Sequence, residues 1–336
     1  MEKKKIKLYL VLVFALFVFV LYFSLKDNYM AIINTLAKVN ILYLLLGIGL
    51  VFLSKYFIGL TLYYLSQKEK KDTSLKKMVK IALIYPFFAG ITPGSLGGES
   101  FEIFYLKETG ISYGKSSNIA IQKFILYQIS LIIVNFMAVI LTLFINVVPD
   151  TSLVGSSVML NFIINIVILL FLFFIAYNKK FNHFILNHGL SFLHKIRIVK
   201  DLKKTQKSLD SYFDNFEESA DKLKKDKKLF IRLMVINILS LVAFIIAAYP
   251  IAKSLGINSI NIINIFILVT YAKMMSLLIV TPGNSGAAEY CFIYLFTGLL
   301  GEEDIMAYML IWRFVTYYIP LIGGGIFALL WGKEKK

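Results

Sequence analysis

Apolar stretches of 18 residues or more recur along this chain, and few sequence features narrow the choice of fold further. At about 1.5 Å per residue, some 20 helical residues cross a hydrocarbon core of roughly 30 Å. Inside that core each lipid-exposed backbone N–H and C=O must find a partner within its own segment, which favours helices. The expected fold is therefore all-α and polytopic. Composition agrees, since 58% of the 336 residues are hydrophobic and only 17% charged, against about 25% charged in a soluble domain.

Six stretches are long enough to span: about Ile6–Leu25, Ile41–Leu65, Ile119–Val148, Leu153–Tyr177, Leu229–Ile251 and Ile305–Leu329. The first follows Met1-Glu2-Lys3-Lys4-Lys5, is longer than a typical signal-peptide core and lacks a small-residue cleavage site, so it reads as an anchor. Between the first two, Met30–Val39 places Ile32, Ile33, Leu36 and Val39 at near-helical spacing, as in a helix lying in the interface. Two other apolar elements are interrupted. Met78–Ile91 stops at Thr92-Pro93-Gly94-Ser95-Leu96-Gly97-Gly98 and resumes as Glu99–Leu106; Ile260–Val280 stops at Thr281-Pro282-Gly283-Asn284-Ser285-Gly286 and resumes as Ala287–Leu300.

Loop charge sets the expected orientation, because short cytoplasmic loops are enriched in Lys and Arg. The basic stretches are the N-terminus, Gln67–Lys77, Asn178–Lys228 and Lys333–Lys336. All four fall on one side only if each interrupted element folds back to the side it entered from. Otherwise Asn178–Lys228, with 13 Lys or Arg against 7 Asp or Glu, would lie outside. The chain is thus expected to form one transmembrane domain in the cell membrane, with both termini cytoplasmic, six full spans and two re-entrant hairpins. The first hairpin then enters from the cytoplasm and the second from outside, within halves of about 1–150 and 151–336.

The interrupted elements match each other. Ile91-Thr92-Pro93-Gly94 parallels Val280-Thr281-Pro282-Gly283, Gly97 parallels Gly286, and Glu99 and Glu289 follow. Downstream, Lys123-Phe124 parallels Arg313-Phe314 and Tyr127 parallels Tyr317, with 24 residues from acid to base in both copies. This is the pattern of an inverted repeat with discontinuous helices, as in many secondary transporters. Glycines at such bends permit close approach, and the helix after each bend offers free amides and a positive dipole end suited to a phosphate or carboxylate.

The intramembrane charges have two readings. Glu99 and Glu289 sit at the starts of second half-helices, where an acid caps well; alternatively Glu99 pairs with Lys123 and Glu289 with Arg313, which is the reading we prefer. Lys55, deep in its span, either lines a substrate path or pairs with a carboxylate such as Glu102; Lys273 is similar. Gln122, Gln128 and Asn135 are expected to bond between helices, and Lys80 and Lys107 to anchor at headgroups. Phe184, Leu193, Ile196, Leu209, Phe213 and Phe216 recur among charges in 178–228, as in amphipathic helices on an anionic leaflet.

Other chemistry is poorly provided for. Cys291 is the single cysteine, so no internal disulfide or multi-cysteine metal site exists. His183, His188 and His194 do not share a helix face, so no metal site is expected. No nucleophile–base constellation gathers at one depth and no ATP-binding motif occurs, so no cofactor is expected. The basic loops need no nucleic-acid partner.

The two Thr-Pro-Gly strings and the span architecture resemble the transmembrane region of lysylphosphatidylglycerol synthases, a family that includes the flippase part of the multiple peptide resistance factor. The resemblance implies a lipid translocator whose partner is a membrane lipid with a charged headgroup. Pro93, Gly94, Gly97, Glu99, Lys123, Pro282, Gly283, Gly286, Glu289, Arg313 and Lys55 are then the expected substrate-binding residues. In full-length relatives a soluble domain transfers an amino acid from aminoacyl-tRNA to phosphatidylglycerol. Here the chain ends soon after the last span, and the longest expected cytoplasmic segment is about 50 residues, so lysyl transfer is not expected. The alternative to translocation is a membrane scaffold that recruits a separate lipid-modifying or glycosyl-transferring enzyme through Asn178–Lys228. Oligomeric state is not legible.

Overall fold

The computed structural model describes residues 37, 39–92, 96–149, 151–184, 202–279 and 281–331. The expected span Ile6–Leu25, most of the expected interfacial helix and the bend Pro93-Gly94-Ser95 lie outside those residues. All regular elements among the described residues are helical: α1 (Ile41–Glu69), α2 (Leu75–Gly90), α3 (Leu96–Glu108), α4 (Tyr113–Thr142), α5 (Ser152–Tyr177), α6 (Lys179–Phe184), α7 (Leu202–Lys225), α8 (Lys227–Ile246), α9 (Ala248–Ser254), α10 (Ile262–Ser276), α11 (Ala287–Phe296), α12 (Glu302–Arg313) and α13 (Ile319–Trp331). Five are long and apolar enough to cross a membrane: α1, α4, α5, the α8–α9 pair and the α12–α13 pair. They correspond to the last five of the six expected spans.

Local chemistry explains the breaks. Asn40 caps α1 by accepting from the Leu42 amide at 3.0 Å, and Asp226 caps α8 by accepting from Leu229 at 3.0 Å. Pro250 has no N–H to donate to Ile246, and its ring crowds that carbonyl, so α8 yields to α9 there. A π-turn at Phe314–Tyr318, just before Pro320, divides α12 from α13. The span expected at Ile119–Val148 is shifted: α4 ends at Thr142 and begins at Tyr113, ahead of its apolar run. Its polar first turns are covered rather than solvated. Ser116, Ser117 and Asn118 are buried, α7 packs along α4, and Asn118 Nδ2 donates to Glu218 on α7.

Contacts at the helix ends show which way each element runs. At one face of the bundle, Glu69 closing α1 meets Lys115 at the start of α4 and Lys222 on α7. Asp226, before α8, meets Lys68. Lys70 Nζ donates to the Thr109 carbonyl at 2.9 Å, so α2 leaves this face and α3 returns to it. At the other face the Asn40 amide donates to the Ser254 carbonyl at 2.7 Å, joining the start of α1 to the end of α9. Thr151, before α5, bonds Tyr294 near the end of α11 at 3.0 Å. The first interrupted element is therefore a hairpin open to one face. The second, α10–α11, opens to the opposite face.

Packing follows the hairpins. One apolar cluster surrounds the first, with Met78, Ile84, Phe87, Phe88 and Leu106 buried; another surrounds the second, with Phe292, Phe296, Tyr308 and Trp312 buried. The repeat-matched tyrosines cross over. Tyr127 of the first half packs on the second cluster, and Tyr317 of the second half on the first. α5 is peripheral: its buried face is the stripe Val154, Val158, Asn161 and Asn165, while Ile163, Val167 and Leu170 lie exposed. Such a helix is stable in lipid, where exposed apolar side chains are solvated by acyl chains.

Candidate functional site

The first hairpin is closed by Thr92. Its hydroxyl donates to the Phe88 carbonyl at 2.8 Å and accepts from the Gly97 amide at 2.9 Å, linking the end of α2 to the start of α3. No side chain fits at Gly97 or Gly98. A Cβ there would meet the Thr92 side chain or the Tyr85 ring at 2.6 Å, so α3 packs directly on α2. Expected pairing fails at Glu99. Its partner is the Tyr85 hydroxyl, which donates to Oε1 at 2.5 Å, while Lys123 Nζ donates to Glu102 Oε2 at 2.7 Å and lies 4.5 Å from the Tyr85 ring centre. Glu99 and Glu102 stand three residues apart and share a helix face. The more buried of the two, Glu102 at 2% exposure, holds the base. Repeat spacing cannot resolve two acids one helical turn apart on the same face.

The second hairpin is built as expected. Gly283 and Gly286 have φ of +59° and +83°, a region that L side chains rarely adopt, and a Cβ on Gly283 would overlap the Tyr317 hydroxyl. Gly286 precedes α11, and its amide donates to Glu289 Oε2 at 2.8 Å. Arg313 Nε donates to Glu289 Oε1 at 2.7 Å. Its guanidinium also donates to the Gly283 carbonyl at 2.8 Å and to Ser285 Oγ at 3.3 Å, and stacks 3.9 Å from the Tyr317 ring centre. Capping and ion pairing, posed as alternatives for Glu289, coexist: one oxygen does each.

Tyr317 joins the end of α2 to the second bend. Its hydroxyl donates to the Gly90 carbonyl at the end of α2, 3.3 Å away, while its ring abuts Gly283. The Pro282–Asn284 turn accordingly packs on α2. Gly97, Glu99 and Lys123 thus belong to the first hairpin and its α4 partner, and Gly283, Gly286, Glu289 and Arg313 to the second, with Tyr317 bridging α2 and the Gly283 turn. Pro93 and Gly94 lie outside the described residues, and of Pro282 only the backbone is described.

Lys55 departs from one of its two readings. Glu102 belongs to Lys123, and among the described residues no carboxylate lies within ion-pair distance of Lys55 or Lys273. Their ammonium groups instead approach one ring, Phe244 on α8, with Nζ 5.5 and 4.8 Å from its centre. The compensation available there is small. A cation–π contact contributes about 0.5–2 kcal/mol, and the dipole end of α10, near Lys273, about 0.3–1 kcal/mol. Withdrawing each ammonium from water costs several kcal/mol. Glu102 carries the opposite deficit, since its Oε1 is buried without a hydrogen-bond partner, a cost of about 1–3 kcal/mol.

Amide side chains fix the surroundings. Gln128 donates to Asn165 at 2.5 Å, Asn165 and Asn135 donate to Asn161 Oδ1 at 2.9 and 3.3 Å, and Asn161 donates to the Met274 carbonyl at 3.0 Å. This chain ties α4 and α5 to the end of α10, whose last carbonyls lack helical partners. Gln128 and Asn135 take the interhelical role expected of them, and Gln122 is buried. Composition missed Asn161 and Asn165, although their four-residue spacing on an otherwise apolar helix marks a polar stripe. A cavity of about 280 Å³ lined by Thr142, Asn146, Thr151 and Tyr271 opens between α4, α5 and α10. It has no charged lining and is separate from the ion pairs.

Fold and buried charges together define a polytopic α-helical membrane protein organised around two oppositely inserted hairpins. The chain belongs to the lysylphosphatidylglycerol synthase transmembrane-region family, which matches residues 8–324. It is also similar to a UPF0104 membrane protein of Archaeoglobus fulgidus, at 24% identity over 260 residues, covering 74% of each chain.

Proposed function

We propose that the protein translocates a lipid between membrane leaflets, a phospholipid or an aminoacylated phosphatidylglycerol. The observation that carries this is the contact of the two hairpins at Tyr317, which bonds the end of α2 and abuts Gly283, while each hairpin carries a buried ion pair. Re-entrant backbone at membrane depth is tolerated where it is buried in protein or lines a polar cavity, and transporters built from opposed repeats place their substrate sites at such junctions. The family name, which refers to a charged aminoacyl phospholipid, supports a lipid as the substrate class. In this reading the acyl chains stay in the bilayer while the headgroup passes the bends. The ion pairs hold the hairpins: Arg313 fastens the Gly283–Ser285 turn, and Lys123 fastens α3 to α4.

The test is headgroup translocation in reconstituted vesicles, read by quenching of fluorescent phosphatidylglycerol and of its lysyl ester. The wild-type chain is expected to move at least one of them faster than protein-free vesicles. Glu289→Gln/Arg313→Gln, which removes both charges and so strands neither, is expected to slow movement at least tenfold. Wild-type rates equal to protein-free vesicles for both lipids would exclude the proposal.

A further inference from the structure

We infer that Lys55 and Lys273 form an anion site that takes the phosphate group of the lipid headgroup. This rests on the translocator reading and sharpens it: the phosphate meets these two lysines rather than Lys123 or Arg313. Both of the latter are already held by carboxylates, at 2.7 Å each.

Four bases lie in the apolar interior of the described helices, Lys55, Lys123, Lys273 and Arg313, against three acids, Glu99, Glu102 and Glu289. Glu102 and Glu289 are committed to Lys123 and Arg313, and Glu99 accepts from Tyr85. The stretch Ile6–Leu25 contains no acid. Lys55 from α1 and Lys273 from α10 converge on Phe244 from 5.5 and 4.8 Å, so their nitrogens are separated by no more than the sum of those distances. Each side chain has four rotatable bonds and three donors, which lets both reach one phosphate. Both residues keep partial exposure in the protein, so neither is sealed into the core. Two like charges side by side in a weakly polarisable interior repel unless an anion stands between them, and intramembrane lysines without partners mark substrate or ion pathways. Around them, Ser54 and Ser240 bond each other at 3.1 Å and Phe244 supplies an apolar wall, so the lysines are the charged donors on offer.

The same chemistry serves a lipid phosphate or a free one, and the experiment separates them. The full chain, purified in detergent, is heated with short-chain phosphatidylglycerol, with diacylglycerol of the same chain length, or with inorganic phosphate. Phosphatidylglycerol is expected to raise the melting temperature and diacylglycerol not to. The rise should vanish in Lys55→Gln/Lys273→Gln and persist in Lys55→Arg/Lys273→Arg. Without lipid, the Gln variant should melt no lower than wild type, because two unpaired charges have been removed. A full phosphatidylglycerol shift in the Gln variant overturns the site. A shift with inorganic phosphate and none with phosphatidylglycerol overturns the lipid assignment. Should the double variant not fold, the single Gln variants decide, each expected to lose about half of the shift. In vesicles, wild-type translocation by the Gln variant would remove the lysines and leave the translocator. A lysine-dependent shift in a chain that moves no lipid would do the reverse.

Discussion

Glu99 and Glu102 differ by three positions on one helix, yet their environments separate them. Glu102 neutralises a lysine in a buried position, whereas Glu99 accepts from a phenol. Glu102→Gln leaves Lys123 buried and unpaired, an expected loss of about 3–5 kcal/mol. Glu99→Gln retains an acceptor for Tyr85 and should cost about 1 kcal/mol. Thermal unfolding in detergent reads the contrast, and adding Lys123→Met to Glu102→Gln should recover most of the loss. Equal destabilisation by the two single variants would mean that Lys123 is shared between both acids. Repeat spacing identified Glu289 with Arg313 correctly and Glu99 with Lys123 wrongly. Glu102, one helical turn beyond Glu99, takes the base in the first half, and a spacing rule carries no information about rotation around an axis.

Among the elements, α7 is the one whose surroundings differ most from expectation. Its alternation of apolar and charged residues predicted a helix lying on an anionic leaflet. In the structure it packs on α4, α5 and α8, with Lys222 bonded to both Glu69 and Glu218. The hydrogen bond from Lys222 holds the Glu218 carboxyl below its usual range, and those from Lys68 and the Leu229 amide do the same for Asp226. Burial alone would lower Lys222, but its bonds to Glu69 and Glu218 outweigh this and raise it. Depressed acids stabilise the docked state above their unfolded values and cease to do so as pH falls through the folded ones; the raised lysine stabilises below its unfolded value and is lost as pH rises through the folded one. Docking of α7 should therefore hold steady between the carboxylate and lysine ranges and loosen on either side. Amide hydrogen exchange across 202–225 measures it, and protection unchanged at pH 3 would show that apolar packing alone holds the helix. High salt should weaken the exposed Lys68–Asp226 pair first.

At the level of the whole molecule, ion pairs gather Lys68, Glu69, Lys115, Lys222 and Asp226 at one face, joining the end of α1 to the starts of α4 and α8 and to α7. Loop charge predicts that this face is cytoplasmic and that the acidic turn Glu302-Glu303-Asp304 lies outside. Single cysteines placed at Lys225 and at Glu303 test this in whole cells, since native Cys291 is buried. An impermeant maleimide should label position 303 and spare 225, and the opposite pattern would invert the proposed topology.

The long apolar runs, the two Thr-Pro-Gly interruptions and the loop charges were enough to establish an all-helical membrane chain with two hairpins, because in lipid an unsatisfied backbone leaves few alternatives. The close approach of Gly90 and Gly283 to Tyr317, the assignment of Lys123 to Glu102, and the convergence of Lys55 and Lys273 on Phe244 depended on how the helices pack. Rotation and depth of one helix against another are decided by contacts between residues far apart in the chain. Periodicity along a single segment does not encode them.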